Sequence, residues 1–173
     1  MATSTLIPLD QYLSTSYRPD REYIDGEVLE RKMGKWEHAR IQALLTIWFG
    51  RHEREWAVQT ATEWRTKVSS TRVRIPDVVL VGQGEQSAVL ADPPLLIVEI
   101  LSPDDTYSET QKRADDYFRM GVQTIWIIDP ATRTARVCSG PNWIEATRLE
   151  VAGTPIYVEL ETLFASLDSP ANS

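Results

Sequence analysis

The pattern of apolar and polar positions along the chain predicts alternating helices and strands. Over residues 35–54 a set of side chains recurs at helical spacing, which predicts an amphipathic helix that begins just after Gly34. The set comprises His38, Ile41, Leu45, Trp48 and His52. Residues 94–101 form instead an apolar run interrupted by one acid, which is typical of a central strand covered on both faces.

Local turn and capping signals delimit further elements. The Asp25-Gly26 pair lies between two strand-like runs and predicts a hairpin over residues 21–30, because such a tight turn needs positive φ angles. A capping box, and Gly121 at the opposite end, predict a helix over residues 106–120. The box is formed either by Thr106 with Glu109 or by Ser108 with Gln111.

The remaining segments complete a mixed β-sheet flanked by helices. Strands are predicted over residues 56–68, 72–82, 123–129 and 134–139, a short helix over residues 7–13, and a last strand with a short helix over residues 155–166. The order of helix, several strands, helix and strand predicts the α/β fold class.

Length and composition predict a soluble, cytoplasmic protein of one domain. The chain has 173 residues, of which 42% are apolar and 25% charged, as in a globular domain over residues 1–173 with a frayed tail at residues 167–173. No apolar run approaches the ~18–20 residues that span a membrane, so no membrane contact is expected. Cys138 is the single cysteine and no secretory signal is visible, which favours a reducing, cytoplasmic location.

The net charge of −7 means that any surface for nucleic acid must be a local basic patch. The densest candidate consists of Arg65, Lys67, Arg72 and Arg74. The alternative is that these side chains are the solvated face of a strand pair, and the sequence does not decide between the two.

Two carboxylates interrupt apolar strands and are the leading candidates for chemistry. Glu99 lies in the apolar run 94–101, and Asp77 follows Pro76 in a second apolar stretch. A buried, unpaired carboxylate loses several kcal/mol of hydration, so each must be paired or functional. Two such acids on neighbouring strands form a hard-oxygen site that suits Mg²⁺ or Mn²⁺.

An ordered set of motifs carries a family resemblance. It consists of YIDGE at residues 23–27, the helix that contains His38, IPDVVLV at 75–81, PPLLIVEILSP at 93–103, Tyr117 through Gly121 and Val122, and IWIIDP at 125–130. From about residue 7 to about residue 140, the chain resembles a large bacterial family of restriction-like endonucleases in the PD-(D/E)XK superfamily.

The resemblance implies a restriction-endonuclease-like fold and metal-dependent hydrolysis of DNA phosphodiester bonds. Asp77, Glu99 and the main-chain carbonyl of Ile100 would bind Mg²⁺ (or Mn²⁺). The metal would lower the pKa of the attacking water and stabilise charge on the phosphate. A homodimer is also expected, since two cuts in duplex DNA call for two sites.

The chain departs from the superfamily pattern at the lysine two residues after the acid, where Leu101 stands. In the family that this chain resembles, the basic residue has moved to the next helix, which points to Arg113 or its neighbour Lys112. Helical phase favours Arg113, because it lies four residues before Tyr117 on the core stripe. Arginine stays charged, so it would orient water or stabilise the transition state rather than act as a base.

Glu63 and His38 are accessory candidates. Glu63 is either a further metal ligand or a solvated acid on a strand face, and His38 either contacts the scissile phosphate or water or packs as a core histidine. Two rival functions stay open. One is a non-catalytic binding module in which an ion or a salt bridge holds the carboxylates; the other is an enzyme for RNA or nucleotides.

Overall fold

The computed structural model describes residues 5–168, which form four helices and twelve strands. In chain order they are α1 Leu9–Leu13, β1 Arg21–Ile24, β2 Glu27–Glu30, α2 Trp36–Trp56, β3 Val58–Thr62, β4 Thr66–Ser69, β5 Arg72–Arg74, β6 Val78–Gly82, β7 Leu96–Ile100, α3 Tyr107–Met120, β8 Ile125–Asp129, β9 Thr134–Ser139, β10 Asn142–Glu145, β11 Arg148–Glu150, β12 Tyr157–Glu159 and α4 Leu160–Asp168.

A six-stranded mixed sheet in the order β10-β9-β8-β7-β6-β3 forms the centre of the fold. Its β7–β8 pair is parallel, and the other neighbouring pairs are antiparallel. Helix α3 is the crossover that a parallel pair requires. Strands β6, β7 and β8 are buried on both faces over most of their length, as expected for strands covered by helices on both sides.

The two faces of the sheet carry different helices. On one face Ile41, Leu45 and Phe49 of α2 pack with the even-numbered residues of β6 and β7. On the other face Ala114 and Tyr117 of α3 pack with the odd-numbered residues. The hydroxyl of Thr106 accepts from the N–H of Glu109 in a capping box, and Gly121 ends α3 with a φ of 109°. Both features of α3 were predicted.

A second sheet, in the order β2-β1-β5-β4, lies beside the first. Its β1–β2 hairpin turns at Asp25 and Gly26, with φ angles of 51° and 98°, as the sequence predicted. The sheet packs on Tyr12 of α1 through Tyr23 and Val73. The hairpin therefore packs on a small core of its own.

The two long strands predicted over residues 56–68 and 72–82 were wrong. Trp56 ends α2, and Glu63, with a φ of 51°, separates β3 from β4. Residues 75–77 likewise separate β5 from β6, where Pro76 lacks the N–H that a continuous ladder needs. The chain thus changes sheet twice, and a left-handed residue and a proline mark the changes.

At the C-terminal end, β12 and α4 appear in the predicted order, and β10 and β11 were not predicted. Of the predicted frayed tail at 167–173, residues 167 and 168 belong to the end of α4, and the rest of that segment lies outside the described residues. Within residues 5–168, no helix is both long enough and apolar enough to cross a membrane.

Candidate active site

Asp77 lies at the junction of three elements, immediately before β6. It is 3% exposed, and its Oδ2 accepts a hydrogen bond of 2.8 Å from the backbone N–H of Ile100 in β7. Its Oδ1 lies 3.1 Å from Nη2 of Arg31, just after β2, and 3.3 Å from Nε2 of His38 in α2. Gln42 in α2 donates to the Asp77 backbone carbonyl at 3.0 Å. These contacts together hold the carboxylate in one orientation.

Glu99 lies on β7 and faces α3. It is 5% exposed, and its Oε1 accepts a short hydrogen bond of 2.6 Å from the hydroxyl of Tyr117. Its Oε2 lies 3.5 Å from Nε of Arg113, whose Nη2 also donates to Asp105 at 3.0 Å. The Arg113 Nε atom is buried without a hydrogen-bond partner, so this pair is an ionic contact with incomplete geometry.

Burial sets the protonation of this site. Loss of hydration raises the pKa of Glu99 to about 7; Arg113 opposes the rise and the nearby Asp77 charge adds to it. Burial alone would lower the pKa of His38, but the hydrogen bond and charge of Asp77 outweigh it and the pKa is raised. Glu99 and His38 therefore both keep their protons to a higher pH than a free carboxyl group and a free imidazole would.

The two carboxylates open onto one small polar cavity of about 30 Å³. Its lining consists of Glu22, Arg31, Lys32, His38, Ile75, Asp77, Glu99, Ile100, Ser102, Asp105 and Arg113. A volume of this size holds about one water-sized group. The structure thus brings together four acids, three permanent cations and one histidine around a space that fits a single ion or water.

The donor set is compatible with Mg²⁺ but small. Asp77 and Glu99 supply carboxylate oxygens, and the register that pairs Val78 with Val98 brings Pro76 next to Ile100. Since proline has no N–H, β6 cannot donate to the Ile100 carbonyl there, which leaves that oxygen available. Among residues 5–168, no group of three or more acidic, histidine or cysteine side chains suits a metal. Water would have to complete the shell, as Mg²⁺ usually permits.

The other candidates from the sequence lie at different distances from the cavity. Arg113 lines it, whereas Lys112 is exposed and does not. His38 lines it and touches Asp77, so packing in the core does not describe this histidine fully. Glu63 occupies a left-handed turn rather than a strand face; its side chain is 52% exposed and lies 3.5 Å from Arg31.

Sequence reasoning missed several residues of the site. Arg31 and Lys32 follow the hairpin, and no local pattern distinguishes them from other surface cations. Tyr117 carried a usable signal, because it lies four residues after Arg113 and therefore on the same helix face. Glu22 accepts from the backbone N–H of Ile75 at 3.2 Å and so fixes the segment that leads to Asp77.

The predicted basic patch is largely neutralised within the protein. Arg65 pairs with Asp20 at 2.5 Å, and Arg72 bridges Asp25 and Asp116 at 2.7 and 2.8 Å. Arg74 is 8% exposed and pairs with Glu22 and Asp116, so it is not a solvated strand-face residue. Of the four cations, Lys67 alone has no ion pair with any residue of 5–168. These arginines therefore hold the second sheet to its neighbours.

Comparison with known proteins places this geometry in context. The model of the family described as "Uma2: Putative restriction endonuclease" matches residues 9–168. A comparison with curated proteins found no match. The crystal structure of a "putative nuclease belonging to DUF820" from Anabaena variabilis ATCC 29413 is similar, with a TM-score of 0.81 and 22% identity over 93% of this chain and 99% of that one. This likeness confirms the predicted fold class.

A second solved structure, a cryo-EM complex of DrdV with DNA, is less similar. Its TM-score is 0.42 at 17% identity, over 73% of this chain and 10% of that one.

Proposed function

Because the chain belongs to the Uma2 family of restriction-endonuclease-like proteins, we propose that it is a metal-dependent endonuclease that hydrolyses phosphodiester bonds in DNA. The observation that carries the proposal is the convergence of Asp77 and Glu99, from adjacent central strands, on one polar cavity that Arg113 also lines. A structural salt bridge would need no cavity beside it.

Each residue of the cavity would have its own role in the reaction. Asp77, Glu99 and the carbonyl of Ile100 would hold Mg²⁺ or Mn²⁺, which when bound supplies an acidic water and a Lewis acid at the phosphate. Arg113, which lines the cavity and keeps its charge, would stabilise negative charge that develops on the phosphate. His38 keeps Asp77 oriented and can donate a proton at its Nε2 atom.

Superfamily members have a lysine two residues after the acid. The proposal gives the role of that lysine to Lys32. Position 101 holds leucine, whereas Lys32 lines the cavity and its Nζ is held by Glu109 at 2.7 Å and by the carbonyl of Asp104. An ammonium group held in this way can orient a water or a phosphate oxygen without coming from the usual strand position.

A second candidate function is a non-catalytic binding module. It is favoured by the fact that protein cations already balance both acids, Arg31 with His38 at Asp77 and Arg113 at Glu99. In that case the acids would need no metal, and the protein would bind its partner without turnover.

Calorimetric titration of Mg²⁺ and Mn²⁺ separates the two functions. Wild type, the Asp77→Ala/Glu99→Ala double variant and the surface control Glu145→Ala are titrated alone and with a DNA duplex, since some sites need the substrate phosphate to complete the metal shell. Saturable binding that is lost in the double variant and kept in the control supports the endonuclease. Absence of binding in all three, with and without DNA, rejects the metal site and favours the binding module.

Cleavage assays on DNA and RNA of the same sequence then test the substrate. Metal-dependent cuts in DNA that the double variant cannot make are expected, and faster cleavage of RNA would reject DNA as the substrate. We also propose that two copies pair to cut both strands, which light scattering of the purified protein tests directly.

A further inference from the structure

Arg31 lies against the carboxylate oxygen of Asp77 that does not bond to the backbone. The other oxygen, Oδ2, accepts from the backbone N–H of Ile100 in the central sheet. Oδ1 is the oxygen left for a ligand, and Nη2 of Arg31 lies 3.1 Å from it. His38 also approaches Oδ1, at 3.3 Å, but of these two side chains only the arginine is permanently charged. A divalent cation at Asp77 would therefore have to compete with Arg31, because two positive charges on one oxygen repel each other.

The contacts of Arg31 are longer than those of a firmly bound arginine. A guanidinium held by carboxylates forms hydrogen bonds of about 2.7–2.9 Å, often in parallel pairs. Arg74 meets this description, with ion pairs of 2.7 and 2.8 Å and a side chain that is 10% exposed. Arg31 has one contact of 3.1 Å to Asp77 and one of 3.5 Å to Glu63, and its side chain is 22% exposed. Two acids therefore share Arg31, and neither holds it as closely as Arg74 is held.

Glu63 offers Arg31 a second position outside the cavity. It lies in the turn between β3 and β4, and its backbone N–H donates to the carbonyl of Pro76 at 3.2 Å, which fixes it beside the segment that leads to Asp77. Its side chain is 52% exposed and does not line the cavity. A guanidinium that leaves Asp77 can thus keep a carboxylate partner, which lowers the free-energy cost of moving the cation.

The backbone around Arg31 can stay in place during such a movement. Arg31 follows β2 directly, and the next residue, Lys32, is held by Glu109 at 2.7 Å. The chain is thus fixed on both sides of Arg31, and the change needs only rotation about side-chain bonds. Since Arg31 lines the cavity of about 30 Å³, the cavity would gain the space that the guanidinium leaves.

We propose that Arg31 is a displaceable counter-ion, which neutralises Asp77 in the metal-free protein and passes to Glu63 when the divalent metal binds. The inference rests on the proposed function, because it presupposes a metal site at Asp77 and Glu99. A buried carboxylate without a counter-charge is strongly unfavourable, so a site that takes up its metal late needs a cation of the protein in the meantime. Arg31 then lowers the affinity for the metal and stabilises the metal-free protein.

A double-mutant cycle measures the displacement through metal affinity, without cleavage. Calorimetry gives the Kd of Mn²⁺, alone and with a DNA duplex, for wild type, Arg31→Gln, Glu63→Gln and the double variant. We expect Arg31→Gln to lower the Kd by about 10-fold, because the metal no longer has a competitor. Glu63→Gln should raise the Kd by about 3-fold when Arg31 is present and leave it unchanged in Arg31→Gln, because Glu63 acts through the arginine. An equal effect of Glu63→Gln in both backgrounds would overturn the transfer to Glu63.

The matched control is an arginine with a similar arrangement of partners elsewhere. Arg148 also contacts two acids, Glu150 and Glu159, and it does not line the cavity. Arg148→Gln changes the net charge by the same amount as Arg31→Gln, and it should bind Mn²⁺ with the Kd of wild type. An equal fall in Kd in the two arginine variants would assign the effect to net charge and overturn the inference.

NMR of the arginine side chains tests the movement in the wild-type protein. Saturating Mg²⁺ should shift the Nε–H signal of Arg31, assigned from its own backbone, and should leave the signal of Arg148 in place. In Glu63→Gln the Arg31 signal of the metal-bound protein should lie at a different position, since the second acid is gone. An Arg31 signal that stays in place while the protein binds Mg²⁺ overturns the inference, even if Arg31→Gln fails to fold.

The displacement and the metal site can fail separately. Saturable Mn²⁺ binding with the same Kd in wild type and Arg31→Gln keeps the metal site and rejects the displacement. Absence of binding in every variant, Arg31→Gln included, rejects the metal site and the inference with it. Binding that appears only in Arg31→Gln supports the inference, because the arginine then excludes the metal from the wild-type protein at the concentrations used.

Discussion

Two buried ionic clusters lie side by side in this protein, and they differ in how completely their charges are satisfied. In the arginine network, formed by Glu22, Arg72, Arg74 and Asp116, the ion pairs are 2.7–2.8 Å long. In the candidate-site cluster, formed by Arg31, His38, Asp77, Glu99 and Arg113, the charged pairs are 3.1, 3.3 and 3.5 Å long and one guanidinium nitrogen has no hydrogen bond.

The comparison shows that burial of charge does not by itself identify a functional site. Both Asp77 and Asp116 have side chains that are 4% exposed, yet Asp116 is enclosed by arginines whereas Asp77 faces a cavity. A cluster selected for stability forms every contact it can, because an unpaired buried charge is strongly unfavourable. A cluster that must bind a metal or a phosphate instead leaves some of its charged groups with incomplete contacts to other protein groups.

The largest effects are expected from Asp77→Ala and Asp116→Ala. The first should change the cleavage rate, and the second should change the free energy of unfolding. Asp77→Ala should lower the cleavage rate by at least about 10³-fold and leave the protein folded, because its cation partners border a cavity. Asp116→Ala should lower the free energy of unfolding by about 3–5 kcal/mol, since it leaves two arginines without their shared acid. Gel assays of cleavage and urea unfolding measure the two quantities. Loss of cleavage in a stable Asp116→Ala protein would show instead that both clusters belong to one functional site.

The second comparison is between Arg113 and its sequence neighbour. Arg113→Ala should reduce cleavage by about 10²-fold, because it removes the cation beside Glu99. It should also move the acid limb of the rate profile to higher pH, since Arg113 holds the pKa of Glu99 down. Lys112→Ala, on the exposed side of α3, should change neither. A larger loss of cleavage in Lys112→Ala than in Arg113→Ala would mean that Lys112, outside the cavity, is the basic residue that the reaction uses.

The sequence predicted those parts of the fold that carry local signals. The hairpin at Asp25-Gly26, the capped helix α3 and the buried strands β7 and β8 each follow from a turn, a cap or an apolar run. The strand prediction failed over residues 56–82, because the alternation of apolar residues continues while the chain passes from one sheet to the other. Alternation reports that a segment is a strand, and it says nothing about which strand lies beside it.

The candidate site divides in the same way. Asp77 and Glu99, which both line the cavity, could be proposed as candidates because an acid inside an apolar run is conspicuous in the sequence. Arg31 meets Asp77 across 46 residues of sequence, and Glu22 reaches Ile75 across 53. Such contacts depend on where the hairpin lies against the central sheet, which no local pattern encodes.

The pH dependence of stability gives a further test of the candidate-site cluster. The pKa of Glu99 is raised from 4.5 to about 7, so the folded state binds more protons than the unfolded state between these values and stability falls as pH rises. The raised pKa of His38 acts in the same direction, because the stabilisation of its charged form is lost as pH rises through that value. Metal-free protein should therefore resist urea better at about pH 5 than at about pH 8.

The isosteric variant Glu99→Gln tests this assignment, since the amide can still accept from Tyr117 but cannot titrate. Its unfolding free energy should depend less on pH than that of wild type over the same interval. Cleavage by wild type should rise with pH through about 7 as the Glu99 carboxylate forms. A variant that keeps the full pH dependence of wild type would assign the effect to another group.

The smallest effect concerns how closely the cluster is packed, and it compares two glycines. Gly34→Ala would place a Cβ atom 2.6 Å from Nδ1 of His38, so the imidazole must shift against Asp77. A displacement of a few tenths of an ångström should lower cleavage by about 10-fold, less than the roughly 10²-fold that a full 1 Å displacement costs. Gly50→Ala, inside α2, meets no atom within 4 Å and should stabilise the helix by about 0.5–1 kcal/mol with unchanged cleavage. Measured together, the pair separates a loss of geometry at His38 from a general effect of glycine replacement. Full activity in Gly34→Ala would mean that the position of His38 does not matter for the reaction, and His38 would then belong with the structural contacts of the arginine network.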